Sequence, residues 1–336
     1  MMASTERSRF LENMKKDLLY LKKLFSEPFR AKRAGGQTNR NYVVSFQAKK
    51  FFVRLPWESV LDRKTEGKNI LALSRNKKVQ RILPKYFIYV LSKKNILNTK
   101  NKTQYDLPDG TMVTEYIPGE ELTMRQFRQK KYQQKLAKLF YTFHTSRVKF
   151  VNTYNVFRDE IAKYRGEASK HQLGKLLNSG AIQELRNIEK KAEKELKSTS
   201  KGVSTHNDFL LQNLIVDNNN RIYLLDFEYA GFNKKGGIFY DLGYVFRDSF
   251  FNPPRIQRKT FERFLSVADK VYKKKLDRSQ IYWAVITALL VGIWWGVLRY
   301  SSVPKKERAY FRRYIQRGTQ GALRLSSEIK KGGARI

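Results

Sequence analysis

The chain has 336 residues, with 68 Lys and Arg against 30 Asp and Glu, a formal net charge of +38. It has no cysteine, which excludes disulfides and thiolate metal centres, and its three scattered histidines argue against a zinc site. At 41% hydrophobic there is core material for two lobes around one cleft. The positive excess suits anionic partners: nucleotide, an anionic membrane surface in peripheral contact, or nucleic acid, although no zinc-finger or RNP-like motif accompanies it.

Residues 1–29 are charged throughout, without an apolar signal core. With the lack of cysteine, this sets a cytoplasmic location as the expectation. The spacing of Phe10, Met14, Leu18, Leu21 and Leu24–Phe25 predicts a helix that packs on the lobe after it, and Pro28 stops it.

Residues 34–41, AGGQTNRN, predict a tight turn opening a hairpin, with strands at 42–46 and 51–55 around the turn Gln47-Ala48-Lys49-Lys50. Backbone N–H groups at Gly35 and Gly36 can converge on phosphate oxygens, and Thr38 and Asn39 add side-chain donors. Arg54 lies on the strand face opposite Phe51, Val53 and Leu55, and its fork suits phosphate. Glu66, opening the next helix, is the expected partner that aims it. Residues 84–91 and 112–116 read as further strands.

From Thr123 the pattern is helical. Leu136, Leu139, Phe140 and Phe143 share one face of a helix that ends at His144, a core or capping histidine. Residues 158–198 are highly charged, with Leu185, Ile188, Ala192 and Leu196 as a narrow stripe, and their paired charges read as a solvated face.

Residues 203–246 carry the chemistry. Asp208 and Asn213 stand in an H-x-D-x-x-x-x-N pattern on a loop, followed by strands at 214–216 and 222–225 and a strand-ending Asp226. Phosphoryl transfer asks the protein mainly for positioning and charge compensation. A carboxylate must accept a hydrogen bond from the attacking hydroxyl, for which Asp208 is placed. Mg²⁺ wants hard oxygens, which Asn213 and Asp226 supply. His206 is expected to prop the loop.

HNDFLLQNLIVD, then LLDFEYAGFN, then YDLGYVF resemble the choline/ethanolamine kinase branch of the aminoglycoside-phosphotransferase-like kinases. The resemblance thins outward, over roughly residues 30–315. It implies an α+β, two-lobed protein-kinase-like fold: an N-terminal helical extension (1–29), an N-lobe with a small antiparallel sheet (30–117), a mainly helical C-lobe (118–320) and a basic tail (321–336). It implies transfer of the ATP γ-phosphate, with Mg²⁺, to the hydroxyl of choline or a related amino alcohol. The G-G-x-T-N turn resembles the phosphate-covering loop, Glu115 and Ile117 the adenine hinge, and Asp241 the brace of the catalytic loop. Glu228 joins Asn213 and Asp226 as a metal ligand.

A quaternary ammonium is recognised by aromatic faces and a nearby carboxylate. Trp295 in WWGVLRY resembles the family's W-G-x-W helix, Tyr229 and Asp248 stand at matching positions, and Tyr310 can close the box. The second tryptophan of that motif is Leu298 here. Other acceptors therefore stay open, such as thiamine, an amino sugar or an aminoglycoside, as does a non-catalytic nucleotide- or nucleic-acid-binding protein with a basic surface. The run 281–298 is eighteen uncharged residues, at the short end for a bilayer span, and is expected to be a buried helix.

Overall fold

The computed structural model describes residues 4–25, 28–35, 39–56, 62–98, 103–170, 173–252 and 256–330. The chain divides into two compact units, residues 1–118 and 119–336.

The first unit pairs helix α1 (Ser4–Leu24) with a sheet of six strands. The strands are β1 (Arg30–Ala34), β2 (Asn39–Phe46), β3 (Lys49–Pro56), β4 (Tyr86–Leu91), β5 (Lys94–Asn95) and β6 (Met112–Glu115). Their order is β1-β2-β3-β6-β4-β5, antiparallel at every pairing. The β2–β3 link is tighter than the expected four-residue turn. Phe46 pairs with Lys49, so only Gln47 and Ala48 turn the chain, at φ 48° and 59°. Positive φ at both central residues is the two-residue hairpin geometry whose twist matches the strands. Helix α2 (Arg63–Arg75) starts at Asp62, whose carboxylate caps the N–H groups of Lys64 and Thr65.

The core of this unit gathers Leu21 of α1 and Phe25 just beyond it with Tyr42, Val44, Val53, Leu55 and Val113 of the sheet. The apolar stripe expected along α1 is thereby corrected. Met14 and Leu18 are each 48% exposed, while Asp17 is 2% exposed. Asp17 lies one turn before Leu21, forms an ion pair with Arg40 Nε (2.9 Å) and accepts a hydrogen bond from Tyr42 Oη (2.6 Å). A buried carboxylate with two donors is tolerated where an unpaired one is not, and hydrophobic patterning cannot anticipate the donors. The side chain of Phe10 lies outside the described residues.

The second unit holds two three-stranded sheets and a helical body. Strands β7 (Gly119–Glu121), β8 (Thr153–Tyr154), β9 (Ser198–Thr205), β10 (Leu214–Asp217), β11 (Ile222–Leu224) and β12 (Gly231–Lys235) form the orders β11-β10-β7 and β8-β12-β9. The helices are α3 (Met124–Phe127), α4 (Lys130–His144), α5 (Lys163–Ser169), α6 (Ser179–Glu195), α7 (Ile238–Phe251), α8 (Arg258–Tyr272), α9 (Arg278–Ser302) and α10 (Lys305–Lys330). The uncharged run forms α9, in which every residue from Gln280 to Trp294 is buried. It is the core helix of this unit. Gly243 of α7 lets the two backbones meet, since a Cβ there would sit 2.8 Å from Val285 N.

The expected tail at 321–336 is corrected as far as Lys330. Helix α10 continues through it, with Ala322, Leu325 and Ser326 buried. That i, i+3, i+4 face finds a partner surface, and its burial outweighs the mutual repulsion of the basic residues. Residues 331–336 lie outside the described residues.

Candidate active site

The centre is the segment that follows β9. Asp241, in the first turn of α7 and fully buried, takes the backbone N–H groups of His206 (2.9 Å) and Asn207 (2.8 Å) on its two carboxylate oxygens. His144 Nε2 is also 2.9 Å from Asp241, and its Nδ1 is 2.6 Å from Tyr272 Oη. His144, a core or capping histidine by its place at the end of α4, is a third support of this brace.

Asn207 is forced to φ 66°. Its side chain holds the turn by accepting from Thr205 Oγ1 and Asn233 Nδ2 and donating to the Tyr229 carbonyl. His206 Nε2 donates to the Leu225 carbonyl (2.7 Å), and its Nδ1 accepts the Asp208 N–H (3.3 Å). The chain therefore enters Asp208 from a fixed direction. After a 3₁₀ turn at Leu211–Asn213, Asn213 Nδ2 donates back to the Asp208 carbonyl (2.8 Å) and to its carboxylate (3.0 Å). Leu225 N–H donates to the Asn213 carbonyl (2.8 Å), which ties in the next residue, Asp226. Asp226 sits at φ 60°, a left-handed conformation that costs energy for a non-glycine residue and marks functional turns.

This arrangement suits a divalent cation bound together with phosphate. The Asn213 amide nitrogen is committed to Asp208, so its oxygen is the atom left for a hard cation. Among the described residues no group of three or more His, Asp or Glu could hold a metal by itself. An ion at Asn213 and Asp226 would take its remaining oxygens from phosphate and water, as Mg²⁺ does.

The first unit carries the residues expected to hold nucleotide. Arg54 Nη1 is 2.6 Å from Glu66 Oε1, both side chains being buried. Arg63, which the sequence reading missed, joins the same carboxylate (2.8 Å) and also donates to Asn39 Oδ1 (2.8 Å). Tyr89 Oη donates to Glu66 Oε2 (2.8 Å). Burial would raise the Glu66 carboxyl, but Arg54 and then Arg63 overcome it and hold it below its usual range. The Gly35 carbonyl accepts Asn41 Nδ2 (2.8 Å). Gly36 and Thr38 lie outside the described residues. Glu115 ends β6, and Ile117 follows in the extended link to Pro118.

The residues expected at the acceptor all lie within the second unit, in separate clusters. Asp248 Oδ1 accepts Asn252 Nδ2 (3.2 Å), and Tyr310 Oη donates to Asn252 Oδ1 (2.9 Å). Tyr229 Oη is 3.0 Å from Tyr164 Oη. The Trp295 ring stands edge-on to Phe311 (5.8 Å) and Tyr314 (5.9 Å) of α10, with the Arg299 guanidinium 6.0 Å from its centroid. Asp248 and Tyr310 thus share one cluster through Asn252. Trp295 leans on α10, and Tyr229 belongs with the catalytic loop. Glu228, between Asp226 and Tyr229, is half-buried.

Two charged residues in this region escaped the sequence reading. Arg247, 5% exposed, passes over Gly292, stacks on Tyr244 (5.1 Å) and Phe251 (5.0 Å), and donates to the Ala288 carbonyl and Tyr314 Oη. Glu160 is 4% exposed, although its segment reads as a solvated charged face. The RD pair in YDLGYVFRDSF gave a faint signal for Arg247, since a charge inside an otherwise apolar helix needs a reason. Nothing comparable marks Glu160.

The model of the choline/ethanolamine kinase family matches residues 31–263. Among solved structures, choline kinase LicA from Streptococcus pneumoniae superposes with a TM-score of 0.69 at 21% identity, covering 94% of this chain and 99% of that one. LicA in complex with AMP matches with a TM-score of 0.67 at 20% identity, covering 93% and 98%. A choline/ethanolamine kinase family protein from Mesorhizobium loti matches with a TM-score of 0.64 at 18% identity, covering 94% and 95%. An ethanolamine kinase from Plasmodium vivax matches with a TM-score of 0.66 at 16% identity, covering 92% and 88%. No curated protein sequence matches significantly. The family model spans the phosphate-loop hairpin, the H-N-D-x-x-x-x-N loop and the Asp241 brace, and on that match the chain belongs to the choline/ethanolamine kinase family, as a small-molecule kinase that phosphorylates an alcohol.

Proposed function

We propose that this kinase transfers the γ-phosphate of ATP, with Mg²⁺, to the hydroxyl of choline or a related amino alcohol. The observation that carries this reading is the double hydrogen bond from Asn213 to Asp208, which aims one carboxylate at an acceptor and one amide oxygen at a cation. LicA's complex with AMP supports the nucleotide half.

Asp208 would accept the proton of the attacking hydroxyl as its oxygen bonds to the γ-phosphorus and the bond to the leaving ADP breaks. Mg²⁺, when bound, would offset phosphate charge, with Asn213 Oδ1 and the Asp226 carboxylate as ligands and Glu228 next in line. Arg54, held by Glu66, supplies a fixed cation for phosphate. For the acceptor, the aromatic rings of Tyr229, Tyr310 and Trp295 and the carboxylate of Asp248 are chemistry suited to an ammonium head group. Burial raises the Asp248 carboxyl, and Arg247 and the Asn252 amide draw it back.

The test is ADP release by the purified protein with ATP and Mg²⁺ over a panel of choline, ethanolamine, thiamine, amino sugars and aminoglycosides. The reading expects turnover with choline or ethanolamine and none with Asp208→Asn. Turnover confined to sugars or thiamine would replace the acceptor; no turnover with any alcohol would remove the reaction.

A further inference from the structure

Glu160 lies on a π-helical turn, Phe157–Ala162, inserted ahead of α5. Such turns are rare and recur at functional sites. Its carboxylate accepts a hydrogen bond from Tyr154 Oη. Among the described residues no Lys, Arg or His nitrogen lies within ion-pair distance of it, unlike the buried carboxylates Asp17, Glu66 and Asp241.

Tyrosine rings connect this carboxylate to the catalytic aspartate. The Tyr154 ring is 6.0 Å from that of Tyr240, which stands edge-on to Tyr244 at 5.5 Å. Burial, opposed by Arg247 and reinforced by the Asp208 charge, pushes the Tyr244 hydroxyl well above its ordinary range. On the other side Tyr164, one turn after Glu160, meets Tyr229, whose carbonyl is held by Asn207 of the catalytic loop. Burial, and next the Asp208 charge, push the Glu160 carboxyl well above its usual range, while Arg247 and Lys163 pull the other way. Asp248, another carboxylate near Asp208, has the Asn252 amide and the adjacent Arg247; Glu160 has a tyrosine hydroxyl.

A carboxylate that lacks its own cation and is walled by tyrosine faces matches a ligand that brings positive charge and tolerates aromatic contact. We infer that Glu160, with Tyr164 and Tyr229 beside it, is a second counter-charge, in addition to Asp248, for the acceptor's ammonium group and sets the preference for cationic over neutral alcohols. This rests on the amino-alcohol reading above and adds a residue and a location to it. Arg247 already stacks on the Tyr244 and Phe251 rings.

The test compares kcat/KM for choline with that for its uncharged carbon isostere, 3,3-dimethylbutan-1-ol, in wild type and in Glu160→Gln. The wild type should favour choline, and the ratio should fall by about tenfold or more in the variant. An equal loss for both alcohols, or an unchanged ratio, overturns the seat, because a packing role would not distinguish charge. If Glu160→Gln does not fold, Tyr164→Ala at the half-buried wall is read in the same way, and an unchanged ratio there overturns the seat. Wild-type protein that phosphorylates neither choline nor ethanolamine overturns the amino-alcohol reading and this seat with it. Wild-type turnover of choline with an unchanged ratio in the variant overturns the seat alone.

Discussion

Asn213 Nδ2 lies 2.8 Å from the Asp208 carbonyl and 3.0 Å from its carboxylate, so one amide fixes both the backbone and the side chain of Asp208. Asp208→Asn replaces the proton acceptor with an amide. General-base contributions are about 10²–10⁴-fold, and kcat should fall by that order with ATP KM little changed. Steady-state kinetics over ATP concentration checks both numbers, and turnover near wild type would remove Asp208 from the reaction.

Asp226 sits at φ 60°, directly after the Leu225–Asn213 backbone link. Asp226→Ala should weaken Mg²⁺-dependent nucleotide binding and move the Mg²⁺ activation curve to higher concentration. Calorimetric titration with ATP, with and without Mg²⁺, reads this. An unchanged Mg²⁺ requirement would show that Asp226 is no ligand.

Glu66 holds two arginines, Arg54 at 2.6 Å and Arg63 at 2.8 Å, and removing it takes the shared carboxylate from both. Removing one partner of a buried pair is more costly than removing both. The single variants Arg54→Met and Glu66→Gln and their double should therefore be non-additive in ATP KM by about 0.5–3 kcal/mol. Additive effects would mean that the two residues act separately.

Trp295 contributes one face to the aromatic cluster with Phe311 and Tyr314. If that face serves the acceptor, the cation–π contact is worth about 0.5–2 kcal/mol, and Trp295→Ala should raise the choline KM roughly two- to thirtyfold, with less effect on ATP. A fall in melting temperature without a change in choline KM would assign Trp295 to packing.

Tyr42 donates to the buried Asp17 carboxylate, and burial followed by that carboxylate pushes its hydroxyl from 10.0 up to about 12. A raised folded-state value means stability that is fully present below pH 10 and lost as pH rises through about 12. The stability advantage of wild type over Tyr42→Phe should shrink between pH 9 and pH 12 in denaturant titrations. A constant difference would show that the hydrogen bond contributes nothing in this range.

Much of the site was legible because phosphoryl transfer constrains residue type and local spacing together. Asp208, Asn213 and Asp226 lie within one short stretch, and the hairpin that carries them follows from alternation and the Asp-Asn turn. Arg54 and Glu66 were readable as strand and helix positions facing each other. The α1 stripe was misread because Asp17 is buried by donors on β2. The charged 158–198 segment hid Glu160 because a carboxylate on a π-turn looks, in sequence, like any surface glutamate. His144 became a brace through partners from α7 and α8, far away in the chain.

The chain alone carried the reaction type, phosphoryl transfer to an alcohol, because that chemistry asks for particular side chains at short fixed spacings. The uncharged run at 281–298, long enough to raise a bilayer span, was expected to be a buried helix, and it forms the core of α9. The tertiary structure alone decided which charges lost their water. Asp17, Glu160 and Arg247 are ordinary polar residues until β2, the tyrosine wall and α9 close over them, and burial depends on distant segments that local spacing does not encode.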